Sequence, residues 1–371
     1  MNKYILFVHS KTKTVVADKM GFFHKCVMCV LLYRFQNKLV SLFNRHNYEL
    51  VSKTPLKVYW NVPSFQCNPF KLNFTTLLDK FAIRHNENDN FRGHVINILY
   101  DPGNFPAILK HENEVFLRNG GVPQEGNVTN HLNVYAQIVD QLMPDRTFSG
   151  LAIIDFESWR PIYRQNWGLL ASYKNLSETI ERQKHPFWPE NWIKKEAARR
   201  FEEAAGKFIN ETLKLSRALR PNATWGYYHY PYCFKANDQS QCSKQVLEEN
   251  DRLNWLFQQS KSLYPSVYLQ EAQTPAERAQ YIEASLEEAL RIKRNLNDPD
   301  KKIFAYFWYK FQDTGKYLSK KDLFLPLVVL ASHKIDGVIL WGASADVNSR
   351  SNCLKLYQYI ENTFGPTLNL A

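Results

Sequence analysis

Leu151-Ala152-Ile153-Ile154-Asp155-Phe156-Glu157-Ser158-Trp159-Arg160-Pro161 runs from an unbroken apolar stretch straight into two carboxylates. A strand that is apolar at every position, rather than at every second one, is covered on both faces, as in parallel sheets flanked by helices. Runs of the same kind recur at 56–62, 95–100, 225–230, 266–269, 303–309 and 337–341. Between them lie segments of helical period, clearest at 196–219 and 276–296. In the second, Ala279, Ile282, Leu286, Ala289 and Leu290 form one stripe, while Glu283, Glu287, Glu288, Arg291 and Arg294 form the solvated face. Strands alternating with helices predict an α/β fold, either a barrel or a doubly wound sheet. No glycine-rich phosphate loop follows any of the strands, which counts against the nucleotide-binding sheet. The expected fold is therefore a distorted, TIM-like β/α barrel with about seven strands.

The C-terminal ends of these strands carry polar aromatics and acids: Tyr100-Asp101, Asp155-Phe156-Glu157, Tyr228-His229-Tyr230, Tyr268 and Trp341. Active sites of β/α barrels are built at that end. Residues i and i+2 of a strand face the same way with Cα atoms about 7 Å apart. Asp155 and Glu157 are thus expected side by side in the barrel mouth, with Phe156 packed behind. Two close carboxylates oppose each other's ionisation, so one stays protonated near neutral pH and can serve as a general acid. Cleavage of a glycosidic bond requires such a group. The structural alternatives are ion pairs to Arg160 or Arg164, or half of a metal site. His185 and His229 show no ligand spacing to the pair, so neither metal nor cofactor is expected. Gly342-Ala343-Ser344-Ala345-Asp346 lacks the second glycine of a nucleophile elbow.

The chain has 371 residues, 44% of them hydrophobic and 14% aromatic, with 47 Lys+Arg against 36 Asp+Glu and a net charge of +11. This composition excludes a disordered or collagen-like chain. No run approaches the roughly 20 apolar residues of a spanning helix, so no stable membrane insertion is expected. The basic balance suggests an acidic partner. Its densest patches (Lys194-Lys195, Arg199-Arg200, Lys301-Lys302) fall on predicted helix faces, and no nucleic-acid-binding motif accompanies them. Among the six cysteines, Cys233 and Cys242 fit a short stapled loop around Lys235-Ala236-Asn237-Asp238, leaving Cys67 and Cys353 to join the two ends. Four free thiols are the alternative. Sequons at Asn73, Asn127, Asn175, Asn210 and Asn222 point to the secretory route. Residues 1–54 read as an N-terminal extension, a signal or propeptide region, in which Cys26-Val27-Met28-Cys29-Val30-Leu31-Leu32-Tyr33 has the length of a signal h-region. The folded domain is expected over 55–366, with a tail at 367–371.

The segment Ile154-Asp155-Phe156-Glu157-Ser158-Trp159-Arg160-Pro161, followed by Arg164-Gln165-Asn166-Trp167, resembles the hyaluronidases, most closely those of bee and wasp venom. The resemblance continues in order through Val58-Tyr59-Trp60-Asn61-Val62-Pro63, Leu99-Tyr100-Asp101-Pro102-Gly103, Arg118-Asn119-Gly120-Gly121-Val122-Pro123-Gln124, Trp225-Gly226-Tyr227-Tyr228, Tyr230-Pro231-Tyr232-Cys233, Pro265-Ser266-Val267-Tyr268 and Ile339-Leu340-Trp341-Gly342. It implies a seven-stranded distorted barrel and an endo-β-N-acetylhexosaminidase that retains configuration by substrate assistance on hyaluronan. It also implies that Glu157 is the acid/base and that Asp155 positions the acetamido group. Tyr100, Tyr228, Tyr268 and Trp341 would line the subsite of the reacting sugar. The bridges implied are Cys67–Cys353 and Cys233–Cys242, and the enzyme is expected to be a secreted, extracellular monomer. Three features depart from the pattern: the first 54 residues, Gln270 where a basic residue is expected, and the plain loop Ala343-Ser344-Ala345. The alternative is a weakly active or inactive hyaluronan-binding homologue, or an enzyme preferring chondroitin.

Overall fold

The computed structural model describes residues 55–112, 114–233 and 241–371. The expected extension over 1–54, with Cys26 and Cys29, and the loop centre at 235–238 lie outside the described residues.

The strands are β1 (Val58–Asn61), β2 (Ile96–Tyr100), β3 (Ala107–His111), β4 (Glu114–Arg118), β5 (Leu151–Asp155), β6 (Thr224–Tyr227), β7 (Ser262–Leu263), β8 (Lys302–Trp308) and β9 (Gly337–Trp341). All but the antiparallel hairpin β3–β4 pair in parallel, forming two arcs in the orders β1-β9-β8-β7 and β2-β5-β6. One parallel bridge, Tyr228 to Tyr264, joins the arcs on one side. On the other side, between β1 and β2, a loop takes the place of a strand. Arg84 N–H donates to Val58 O at 2.8 Å and Trp60 N–H donates to Arg84 O at 2.7 Å. The buried Asn86 amide then donates to Ile96 O at 2.9 Å and accepts from the N–H groups of Val95 and Ile96 at 2.9 and 3.1 Å. A side-chain amide carries the same donor and acceptor as a peptide group. Asn86 therefore closes the ring as a missing strand's backbone would.

Period two along each strand sorts inside from outside. Leu151 and Ile153 join Tyr59, Ile96, Ile98, Tyr264, Phe304, Tyr306 and Ile339 in the cluster that fills the barrel. Ala152, Ile154 and Phe156 point outward into the cluster that holds Phe201, Phe208 and Leu213 of the helical layer. Gly226 belongs to the inward series. A Cβ there would meet the Ser262 carbonyl oxygen at 2.2 Å, and its absence leaves room for the Tyr264 ring. Carried one step further, the inward series of β2, β5, β6, β8 and β9 ends on Tyr100, Asp155, Tyr228, Trp308 and Trp341.

The outer layer includes α1 (Val128–Leu142), α2 (Ala171–Lys184), α3 (Glu190–Leu219), α4 (Pro275–Asn295), α5 (Lys320–Ser332) and α6 (Arg350–Tyr359). Helix α3 starts at Glu190 rather than at 196, because Ile193 and Ala197 extend the buried stripe of Phe201, Ala205 and Phe208. Helix α4 begins with a capping box in which Thr274 and Glu277 satisfy each other's backbone N–H groups.

Three expectations are corrected. The strand expected at 266–269 lies earlier, at Ser262–Leu263, because Pro265 has no N–H to give the ladder; Ser266 keeps only an isolated bridge to Tyr306. Glu288, expected on the solvated face, is buried, where its carboxylate accepts from Asn250 Nδ2 and Arg291 Nε, both at 2.7 Å. The boundary expected at 366 falls inside the closing turn Gly365–Leu368, where Thr367 is buried, so 367–371 is no separate tail. No described helix is long and apolar enough to cross a membrane.

The bridges are Cys67–Cys353, spanning a sequence separation of 286, and Cys233–Cys242, spanning 9. In the chain-entropy model the longer closure restricts the unfolded chain by about 3 kcal/mol more than the shorter. Urea unfolding of Cys67→Ser/Cys353→Ser should therefore show a much larger loss than Cys233→Ser/Cys242→Ser. Equal losses would contradict this.

Candidate active site

A cavity of about 260 Å³ opens at the C-terminal ends of the strands, lined by Asp155, Glu157, Tyr228, His229, Ser266, Tyr268, Tyr306, Trp308, Gln312 and Trp341, among others. A larger hollow, about 560 Å³, lies at the opposite end between Arg84, His85, Val95 and Gly150. It has no paired carboxylates, so the chemistry belongs to the smaller cavity.

Asp155 ends β5 on the inward face, and Glu157 follows two residues later beyond the strand. Burial, then the charges of Glu157 and Asp101, push the Asp155 carboxyl up from 3.8 to about 8. Glu157 stays open to the cavity, its side chain 54% exposed. The two acids thus have different environments, one withdrawn and holding its proton near neutral pH, the other reaching solvent. Behind them, Asp101 N–H donates to Asp155 O at 2.7 Å. Arg118 clamps the Asp101 carboxylate with two bonds of 2.6 and 2.8 Å.

Aromatic rings build the wall. Tyr268 stacks on Trp341 with centroids 5.7 Å apart, and Trp308 meets Trp341 edge-on at 5.2 Å. Tyr228 sits edge-on to Tyr306 at 4.9 Å, and its hydroxyl donates to Ser266 Oγ at 3.3 Å. Trp341 Nε1 donates to the Tyr100 hydroxyl at 3.0 Å, tying the end of β9 to the end of β2. Burial raises the Tyr228 and Tyr268 hydroxyls well above the ordinary tyrosine value, so both remain donors. An apolar, ring-lined cleft with a few convergent polar groups suits a sugar, which offers flat C–H faces and hydroxyl edges.

All six residues named from the sequence, Tyr100, Asp155, Glu157, Tyr228, Tyr268 and Trp341, gather at this end of the barrel. Trp308, Ser266, Gln312 and the Asp101–Arg118 clamp were not assigned to the site from the sequence. Trp308 was findable, since it follows Tyr306 at i+2 on the strand. Arg118 was not, because it reaches the site from the unforeseen hairpin.

Of the sequon asparagines, Asn73, Asn127, Asn175 and Asn222 are exposed, and Asn210 is half-buried in the middle of α3. Asn127 also caps α1, its Oδ1 accepting from Asn130 N–H at 2.9 Å.

A family model described as hyaluronidase matches residues 45–370. A hyaluronidase of Apis mellifera is 45% identical over 316 residues, covering 84% of this chain and 83% of that protein. One of Polistes annularis is 43% identical over 334 residues, covering 88% and 90%. Among solved structures, bee venom hyaluronidase in complex with a hyaluronic acid tetramer superposes with a TM-score of 0.82 at 45% identity, covering 84% of this chain and 98% of that one.

Proposed function

Since the chain belongs to the hyaluronidase family, we propose that it is an endo-acting glycosidase that hydrolyses the β-1,4 bonds of hyaluronan, with Glu157 as acid/base and Asp155 as the group that holds the substrate's acetamido nitrogen. The observation that carries this reading is placement in one ring-lined cavity: Glu157 reaches into the open cleft, where a leaving oxygen would lie, and Asp155 sits withdrawn beside it.

The stereochemistry follows from their placement. A retaining enzyme with a protein nucleophile needs its acid and its nucleophile across the bond from each other, about 5–5.5 Å apart. Asp155 ends β5, Glu157 follows two residues on, and both line one cavity, so both approach from one side and Asp155 is badly placed to attack. An N-acetyl sugar brings its own nucleophile, the acetamido oxygen, and substrate-assisted retention is the established exception. Glu157 gives its proton to the leaving oxygen while the acetamido oxygen closes on the anomeric carbon. The Asp155 carboxyl oxygen accepts a hydrogen bond from the acetamido N–H, and positive charge growing on that nitrogen strengthens the bond. Tyr228 and Tyr268 supply hydroxyl donors and ring faces. Glu157, now a carboxylate, takes a proton from the incoming water, which opens the oxazolinium.

NMR of the first product from hyaluronan should show the β-anomer, de-N-acetylated hyaluronan should be left uncut, and chondroitin run in parallel reports the preference. An α-anomer, or a glycosyl ester trapped on Asp155, would sink the mechanism. Two disulfides and four exposed sequon asparagines support secretion as the route.

A further inference from the structure

His229 follows β6 and lines the same cavity. Its φ is +73°, a left-handed backbone turn that non-glycine residues adopt uncommonly, histidine with asparagine and aspartate more often than the rest. This turn sets the imidazole between the rings of Tyr228 and Tyr232, with centroids 5.3 and 4.4 Å away. The side chain is 26% exposed, yet Nδ1 is buried without a hydrogen-bond partner. A buried polar atom left so costs about 1–3 kcal/mol. An uncommon backbone turn that aims the ring into the cleft and a buried atom left unpartnered there are the pattern of a site shaped for a later step. Glu157 Oε2 stands 3.7 Å from Nδ1, just outside hydrogen-bonding reach.

We propose that His229 is a positioning residue for Glu157: with substrate in the cleft, its Nδ1–H donates to Oε2 and leaves Oε1 to carry the proton to the leaving oxygen. The inference rests on the reading of Glu157 as the acid. Glu157 needs such a partner because its side chain is exposed and has three torsions to fix; holding a reacting group in line is worth orders of magnitude when lost completely. The charged and titratable groups around the imidazole fit this assignment. Glu157 and Asp155 line the same cavity from the end of β5, Tyr228, Tyr230 and Tyr232 flank the imidazole on its own segment, and the Arg160 guanidinium lies over the Tyr232 ring, 5.2 Å from its centroid. The His229 N–H of the backbone is already used, donating to Tyr264 O at 2.9 Å.

Two substitutions separate the imidazole's role from the backbone turn. His229→Gly relaxes the positive φ but removes the donor. His229→Asn also tolerates that φ and places an amide nitrogen close to where Nδ1 stood. On a hyaluronan oligosaccharide, His229→Gly should lose about tenfold in kcat with KM unchanged, and His229→Asn should recover most of that loss. Wild-type kcat in His229→Gly, or an Asn variant as slow as the Gly one, overturns the assignment. Glu157→Gln in the same assay separates the two ideas. Inactive Glu157→Gln beside a normal His229→Gly removes His229 alone, whereas active Glu157→Gln removes the acid reading and this inference with it.

Discussion

Glu157→Gln is expected to fold normally, to keep its affinity for hyaluronan oligosaccharides, and to lose at least three orders of magnitude in turnover. The substitution keeps the length and the hydrogen-bonding oxygen of the side chain but cannot release a proton to the leaving group. General acid or base help is worth roughly 10²–10⁴-fold per step, and in the proposed mechanism one residue serves as acid in the first step and base in the second. Fold and affinity should survive because the Glu157 side chain is 54% exposed and the amide fills the same space. Binding would be read by isothermal titration with an oligosaccharide, and turnover by the release of reducing ends. A variant within tenfold of the wild type would remove Glu157 from the chemistry.

Asp155→Asn should move two quantities in opposite directions, losing about 10²–10³-fold in kcat, as when a charge-stabilising group is removed, while gaining stability. The Asp155 carboxyl titrates near 3.8 in the unfolded chain and near 8 in the folded one. Below pH 3.8 it is protonated in both states and contributes no difference. As the pH climbs from 3.8 towards 8, the unfolded chain ionises and the folded one does not, so stability drains away across that window. Each unit is about 1.4 kcal/mol, making the whole on the order of a few kcal/mol. Asparagine ionises in neither state. Calorimetry should therefore find the two melting temperatures close at pH 4 and the variant several degrees higher at pH 8. A difference that stays flat with pH would mean the withdrawn acid carries no such penalty.

How far the molecule was readable in advance depended on whether a feature lived within one segment. Six of the seven parallel strands announced themselves as short continuous apolar runs, and Asp155 and Glu157 were legible because one short stretch of sequence carries both. The aromatic wall was legible because Tyr228 and Trp341 end such runs. The strand at Ser262–Leu263 is only two residues long, too short to stand out beside the more apolar stretch that follows Pro265. Glu288 looked solvated because its neighbour Asn250 arrives from a helix that no local pattern connects to it. The closure by Asn86 was illegible for a deeper reason: a side chain does there what backbone does elsewhere, and no periodicity marks such a substitution. His229 was visible as a residue but not as a group, since only the left-handed turn aims it at Glu157.

The Cys67–Cys353 bond, finally, gives the domain the connectivity of a closed circuit. Between those two residues the chain forms a covalent loop that includes every barrel strand after β1. A single cut by a protease anywhere on that loop opens the circuit without detaching a fragment, because both pieces stay linked through sulfur. Two cuts, or one cut followed by reduction, are needed before any part can diffuse away. The molecule is thus built to outlast its first nick wherever a protease reaches it.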